Sequence, residues 1–193
     1  MYATRATRRG EPDSDVVLQL LSRLWQIKLR SISILEKWLA KTADAEIKSG
    51  LQFQVIDERR HLRILGDEIN RLGSRIGSLA RENRFGRPFA MVQTQSTDFQ
   101  RLTVFHRGLK VFTVERCGQI MPFVDDGVAR TMERIILDEE RHIRWADIRL
   151  ARMDEEEQRQ AKLLRERMET ILEAAWPKPW LERGLRSPGS HRR

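Results

Sequence analysis

Two short strings in this sequence have the residue types of metal sites: Asp57-Glu58-Arg59-Arg60-His61 and Asp138-Glu139-Glu140-Arg141-His142. In an α-helix, residues three apart share a face, so the Glu and His of each string can offer an oxygen and a nitrogen to one ion. A lone acid precedes each string at nearly equal distance, Glu36 by 22 residues and Glu115 by 24. Four carboxylates with two imidazoles roughly neutralise two divalent ions, which offsets the cost of burying the acids. Such a donor set suits iron or manganese, with iron preferred, and the lack of thiolate ligands disfavours a structural zinc centre. Two ions held together can share the reduction of dioxygen or peroxide.

Helices must position these groups. Apolar residues recur at steps of three and four along most of the chain, and no convincing alternating strand interrupts them. The expected fold class is all-α. A first helix from Asp15 to Ala43 is read with Leu18, Trp25, Leu29, Ile32, Glu36, Leu39 and Ala43 facing inward. Asp44 caps a second helix running to Leu72, with the stripe Ile47, Leu51, Gln54, Glu58, His61, Leu65, Ile69 and Leu72. Residues 73–97, containing Gly73, Gly77, Gly86 and Pro88, read as a long crossover connection. A third helix opens at Ser96, Thr97 or Asp98 and presents Phe105, Gly108, Phe112, Glu115 and Gln119, ending near Pro122. After the turn at Asp125-Asp126-Gly127, a fourth shows Val128, Met132, Ile135, Glu139, His142, Ala146 and Leu150. A fifth follows a cap at Asp154, with Pro177 and Pro179 as its stop. Because Asp44 and Asp125 each lie fourteen residues before their Glu, both strings are expected at the same height.

The domain reading is a basic tail over 1–14, a four-helix bundle over 15–153, an added helix over 154–177 and a second basic tail over 178–193. The formal charge is +8 in 193 residues. Most of it belongs to the ends: Arg5, Arg8 and Arg9 give +3, and five bases against Glu182 give +4 over 178–193. That distribution favours solvated tails over a nucleic-acid surface, which stays as an alternative. No apolar run approaches a bilayer span, the N-terminus lacks the apolar centre of a secretory signal, and a cytoplasmic protein is expected. The single cysteine, Cys117, excludes an internal disulfide and a four-cysteine iron site. Cys117 is read as a buried filler, Trp25, Trp38 and Trp145 as packing residues, and His106 as structural or exposed. Glu46, Glu68, Glu133 and Glu140 are read as solvated charges. Tyr2, the only tyrosine, lies in the tail.

The run Leu137-Asp138-Glu139-Glu140-Arg141-His142-Ile143-Arg144-Trp145 resembles the last ligand helix of bacterioferritins, and Asp57-Glu58-Arg59-Arg60-His61 resembles the matching helix of rubrerythrin-like proteins. The resemblance covers about residues 15–150. It implies a ferritin-like di-iron carboxylate protein in which Glu58 and Glu139 bridge the metals, Glu36 and Glu115 are terminal ligands, and His61 and His142 each bind one ion. Asp57 and Asp138 would accept the outward N–H of the histidine on the facing helix. The activity implied is that of a non-haem di-iron oxidoreductase acting with dioxygen or peroxide, a separate electron donor and an unidentified small-molecule substrate, possible as a homo-oligomer. Ferritin-type iron handling is the alternative.

Overall fold

A computed structural model describes residues 14–76 and 85–176. The tails at 1–13 and 177–193 lie outside the described residues, as do Tyr2, Gly77, Pro177 and Pro179. The described residues are all-α: α1 (Ser14–Leu39), α2 (Ala45–Arg71), α3 (Gly86–Gln93), α4 (Asp98–Leu102), α5 (Val111–Ile120), α6 (Asp126–Leu150) and α7 (Glu155–Ala175). A π-helical segment, Thr103–Lys110, joins α4 to α5 without leaving helical backbone.

Local sequence explains where these helices begin. Asp44 accepts the backbone N–H of Ile47, and Asp125 accepts those of Gly127 and Val128, so α2 and α6 open on the expected caps at the expected offset. Thr97 opens α4 in a reciprocal capping box with Gln100, and Asp154 opens α7 in one with Glu157. Gly73, at φ +82°, turns the chain out of α2 in a conformation that side chains disfavour.

Helix α1 runs alongside α2, and α6 packs on α2, α5 and the π segment. Helix α7 covers the π segment and touches α3, which also contacts α1. Ties at the helix ends hold this arrangement. Asp98 accepts hydrogen bonds from Trp38 Nε1 (2.6 Å) and Thr42 Oγ1, linking α4 to the end of α1. Arg71 donates to Glu68 (2.6 Å) and to Asp125 (2.9 Å), linking the end of α2 to the cap of α6. Glu68 is therefore buried rather than a solvated charge.

The inward stripes of α2 and α6 follow the sequence reading, save that Leu72 is only partly covered. Helix α1 differs. Its buried positions include Val17, Leu20, Leu21, Leu24, Ile27, Lys28, Ser31, Leu35 and Trp38, spaced mostly by three and four, with Ser22, the expected Ile32, and Ile34 also buried, whereas Leu29 and Glu36 face outward. The connection after α2 also holds more order than expected: Phe89, Met91 and Val92 are buried on α3, and Pro88 is tolerated because it sits in the first turn. No described helix is long and apolar enough to cross a membrane.

Since the caps set the height of α2 and α6, their removal should cost unequal amounts. Asp125→Ala is expected to lose about 1–2 kcal/mol and Asp44→Ala about 0.5–1 kcal/mol, because Asp125 also anchors Arg71. Urea denaturation of both variants checks the order.

Candidate functional site

Equal cap offsets bring Glu58 and Glu139 face to face in the centre of the helices, both essentially without solvent exposure. Two adjacent buried carboxylates repel each other and lack water, so positive charge has to reach them. Here it comes from lysines. Lys110, at the end of the π segment, places Nζ 2.6 Å from Glu58 Oε1, 2.5 Å from Glu139 Oε2 and 3.2 Å from His142 Nδ1. Lys28, in the middle of α1, donates to Glu139 Oε1 and lies 3.1 Å from Glu58 Oε2. Each ammonium thus bridges both carboxylates, and both lysines are buried.

The histidines complete the pattern. His61 Nε2 lies 2.9 Å from Asp138 Oδ2, and His142 Nε2 lies 2.8 Å from Asp57 Oδ2. Each aspartate takes the histidine of the facing helix, as expected, which leaves both Nδ1 atoms pointing at the glutamates. His61 Nδ1 is 3.5 Å from Glu58 Oε2 and from Glu139 Oε1 and makes no hydrogen bond there. Arg60 spans Asp57 (2.7 Å) and Asp138 (2.5 Å), and Arg141 spans the same two acids (2.9 and 2.8 Å). The shared pattern Asp-Glu-x-Arg-His therefore has one job per position: Asp holds the opposite His, Glu meets the lysines, and Arg ties the two aspartates.

Electrostatics follow from this packing. Burial and the adjacent Glu139 charge push the Glu58 carboxyl up, but Lys110 and Lys28 prevail and hold it below the usual carboxylate range. Burial likewise raises Glu139, and the same two ammoniums hold it well below. Burial alone would lower Lys28, yet Glu139 and Glu58 keep its pKa above the ordinary lysine value. Burial opposes charge on His61, and contacts with Glu139 and Glu58 raise it nonetheless. Asp57 and Asp138, raised by burial, are brought below their ordinary value by His142 and Arg141 and by His61 and Arg60, respectively.

Of the six expected ligands, Glu58, His61, Glu139 and His142 converge and two do not. Glu36 is exposed and pairs with Arg59 at 2.7 Å, and Glu115 is exposed on α5. Both misplacements have a physical cause. On α1 the apolar repeat centred on Lys28 is denser than the one through Glu36, so burial turned the helix by about one residue's rotation, ~100°. On the third helical run, the π segment's wider i→i+5 turns shift everything after it relative to a 3.6-residue repeat, placing Lys110 inside and Glu115 outside. The signal for the lysines was their position: Lys28 precedes Glu58 by 30 residues, and Lys110 precedes Glu139 by 29.

Glu58, Glu139 and His142 offer ligand atoms within 4.8 Å of one another, close enough to surround an ion. Those three residues are the ones Lys110 Nζ already contacts. Lys28 contacts the same two glutamates. Two glutamates and two ammoniums sum to zero, so two divalent ions would add +4 to a centre that is already neutral. The donor set does not fit an iron or manganese pair while both lysines are charged and in place.

His106, on the π segment, is fully buried. Its Nε2 is 2.9 Å from Gln54 Oε1, and its ring lies among Trp38, Phe105 and Trp145. Burial, with Lys110 and His142 nearby, holds it well below the ordinary histidine value. Cys117 is buried, and that burial pushes its thiol up to about 12. Trp38 is a packing residue, as read from the sequence; Trp25 is partly buried, and Trp145 is partly buried beside the site. Comparison with protein-family models, curated proteins and solved structures finds no match for this chain.

Lys28→Met and Lys110→Met should each destabilise by about 3–5 kcal/mol, because each strands buried carboxylate charge. Glu36→Ala and Glu115→Ala should stay within about 0.5 kcal/mol. Urea midpoints of the four variants distinguish this outcome from one in which the glutamates matter most.

The depressed carboxyls also set a pH dependence. Their contribution is complete above the unfolded-state value of about 4 and is withdrawn as pH falls through their lower folded-state values. The native protein should lose more stability between about pH 5 and pH 2 than Lys28→Met, in which the carboxyls are less depressed. Urea titrations across that range give the two slopes.

Proposed function

We propose that this chain is a ferritin-like four-helix protein whose metal-pair positions are filled by Lys28 and Lys110, and that it works as a metal-independent binding module. The observation that carries this reading is the placement of the two ammoniums, each against both Glu58 and Glu139, with Lys110 also 3.2 Å from the inward Nδ1 of His142. The paired hairpins, the facing Glu-x-x-His strings and the Asp–His contacts all support descent of the architecture from a two-metal design. What differs is the counter-charge.

The proposal replaces the di-iron oxidoreductase expected from the motifs. Ion capture would need the ammoniums to leave or lose their protons, and contacts with Glu139 and Glu58 favour the charged form of Lys28 against the opposing effect of burial. The same contacts argue against Lys28 as a nucleophile, which requires a lowered pKa. A neutral, closed centre instead gives a rigid helical support, and the surface around it carries the binding.

Metal analysis tests this. After anaerobic loading with Fe(II) or Mn(II) and desalting, the native protein should retain well under one ion per chain. The double variant Lys28→Glu with Lys110→Glu restores four carboxylates and two histidines, and should retain about two ions per chain. Two ions retained by the native protein would overturn the reading and return the oxidoreductase to first place. If the double variant does not fold without metal, unfolding scans with and without Mn(II) still report whether ions bind it.

A further inference from the structure

Next to the charged centre, α2 and α6 frame a surface groove of about 850 Å³. One wall carries Gly50, Phe53 and Gln54, and the other carries Trp145, Ile148 and Arg149. The lining residues fall within 45–57 and 141–152, so the groove is roughly 18–20 Å long. The Trp145 ring lies where a side chain at position 50 would stand, its nearest atom 2.2 Å from an added Cβ, so glycine is what lets the ring settle against α2.

Phe53 and Ile148 remain 69% and 63% exposed and face the same groove from two adjoining helices. The polar groups at the groove are unevenly satisfied. Arg141 is engaged by Asp57 and Asp138, and Arg152 lies 3.2 Å from Glu46. Arg149 has a weaker acid contact, 3.9 Å from Glu46, while it stacks on Trp145 and donates to the Trp145 carbonyl. Its Nε is buried and makes no hydrogen bond. Gln54 is 2% exposed, accepts from His106 Nε2 at its Oε1, and has no partner for Nε2. Two donors without acceptors, one of them on a cation, belong to residues that line a groove with apolar walls. Buried donors of this kind call for an acceptor.

We infer that the groove binds a small amphipathic monocarboxylate, of the medium-chain fatty-acid class, with its head at Arg149 and Gln54 and its chain along Phe53, Trp145 and Ile148. Charge selects this occupant. A quaternary cationic amphiphile offers these donors no acceptor, and a neutral alcohol offers Arg149 an acceptor without the opposite charge. An isologous second copy would bring arginine against arginine, and a polyacidic peptide would need several free cations where Arg141 and Arg152 are already paired. The inference names the ligand of the binding module proposed above but rests on groove geometry alone. Metal content tests that earlier reading, and carboxylate binding tests this one.

Calorimetric titration of the full-length native protein with decanoate, decanol and decyltrimethylammonium below their aggregation limits is the direct experiment. Decanoate should bind at about one per chain, at least tenfold more tightly than either of the others. Arg149→Gln should weaken decanoate at least tenfold. Ile148→Glu, a change at an exposed position that leaves the fold intact, should abolish binding by placing an acid in the groove. Leu163→Glu, on the exposed face of α7, should leave it unchanged. Equal binding of decanoate and decanol, no decanoate binding, or full binding by Ile148→Glu would overturn the inference.

Discussion

The contact on which this structure depends is the meeting of Glu58 and Glu139. Neither is exposed to solvent, and each is next to the other's charge, so the helices can close around them only with compensating cations at the same height. Lys28 supplies one from α1 and Lys110 the other from the end of the π segment. Three of the packing faces follow from that requirement. Helix α1 must turn Lys28 inward, α2 and α6 must align their caps, and the third helical run must deliver Lys110 where a regular helix would change its register. Lysine suits the task better than arginine, since a compact ammonium with three donors can bridge two carboxylates where a flat guanidinium would need more room. In a sequence with seven lysines against twenty-nine arginines, these two are lysine.

What the sequence made legible depended on how a helix face can be read. Along α2 and α6 the apolar stripe and the chemistry coincide, and Asp44 and Asp125 announce the start of each helix, so the inward position of Glu58, His61, Glu139 and His142 and the pairing of each histidine with the facing aspartate are legible. Along α1 the reading followed an acid, Glu36, instead of the denser apolar repeat around Lys28. A lysine among leucines reads as a surface residue unless buried acids elsewhere require it. On the third run a repeat of 3.6 residues per turn does not hold through Thr103–Lys110, where the backbone is π-helical. Nothing in local composition marks that segment. Helix α3 was hidden by Gly86 and Pro88, residues that mark turns in most contexts but are compatible with a helix's first turn.

The neutral centre and the groove beside it share residues. Asp57 and His142 line the groove floor and also belong to the charged network, and His106 connects Gln54 to the aromatic packing around Trp145. A ligand in the groove would rest on a support fixed by ion pairs. The same helices that could present metal ligands inward therefore present apolar side chains outward, and the lysines allow the inward side to remain closed.

The claim that two ammoniums stand in place of two metal ions is tested most directly by NMR of protein labelled with ¹⁵N at lysine Nζ. Buried, ion-paired ammonium protons exchange slowly with water, so Lys28 and Lys110 should give protected Nζ resonances at neutral pH, assigned by their loss in Lys28→Arg and Lys110→Arg. Those signals should persist unchanged on addition of several equivalents of Zn(II), a diamagnetic stand-in for iron. Absence of protected ammonium signals, or their disappearance as one to two equivalents of Zn(II) bind, would contradict the account.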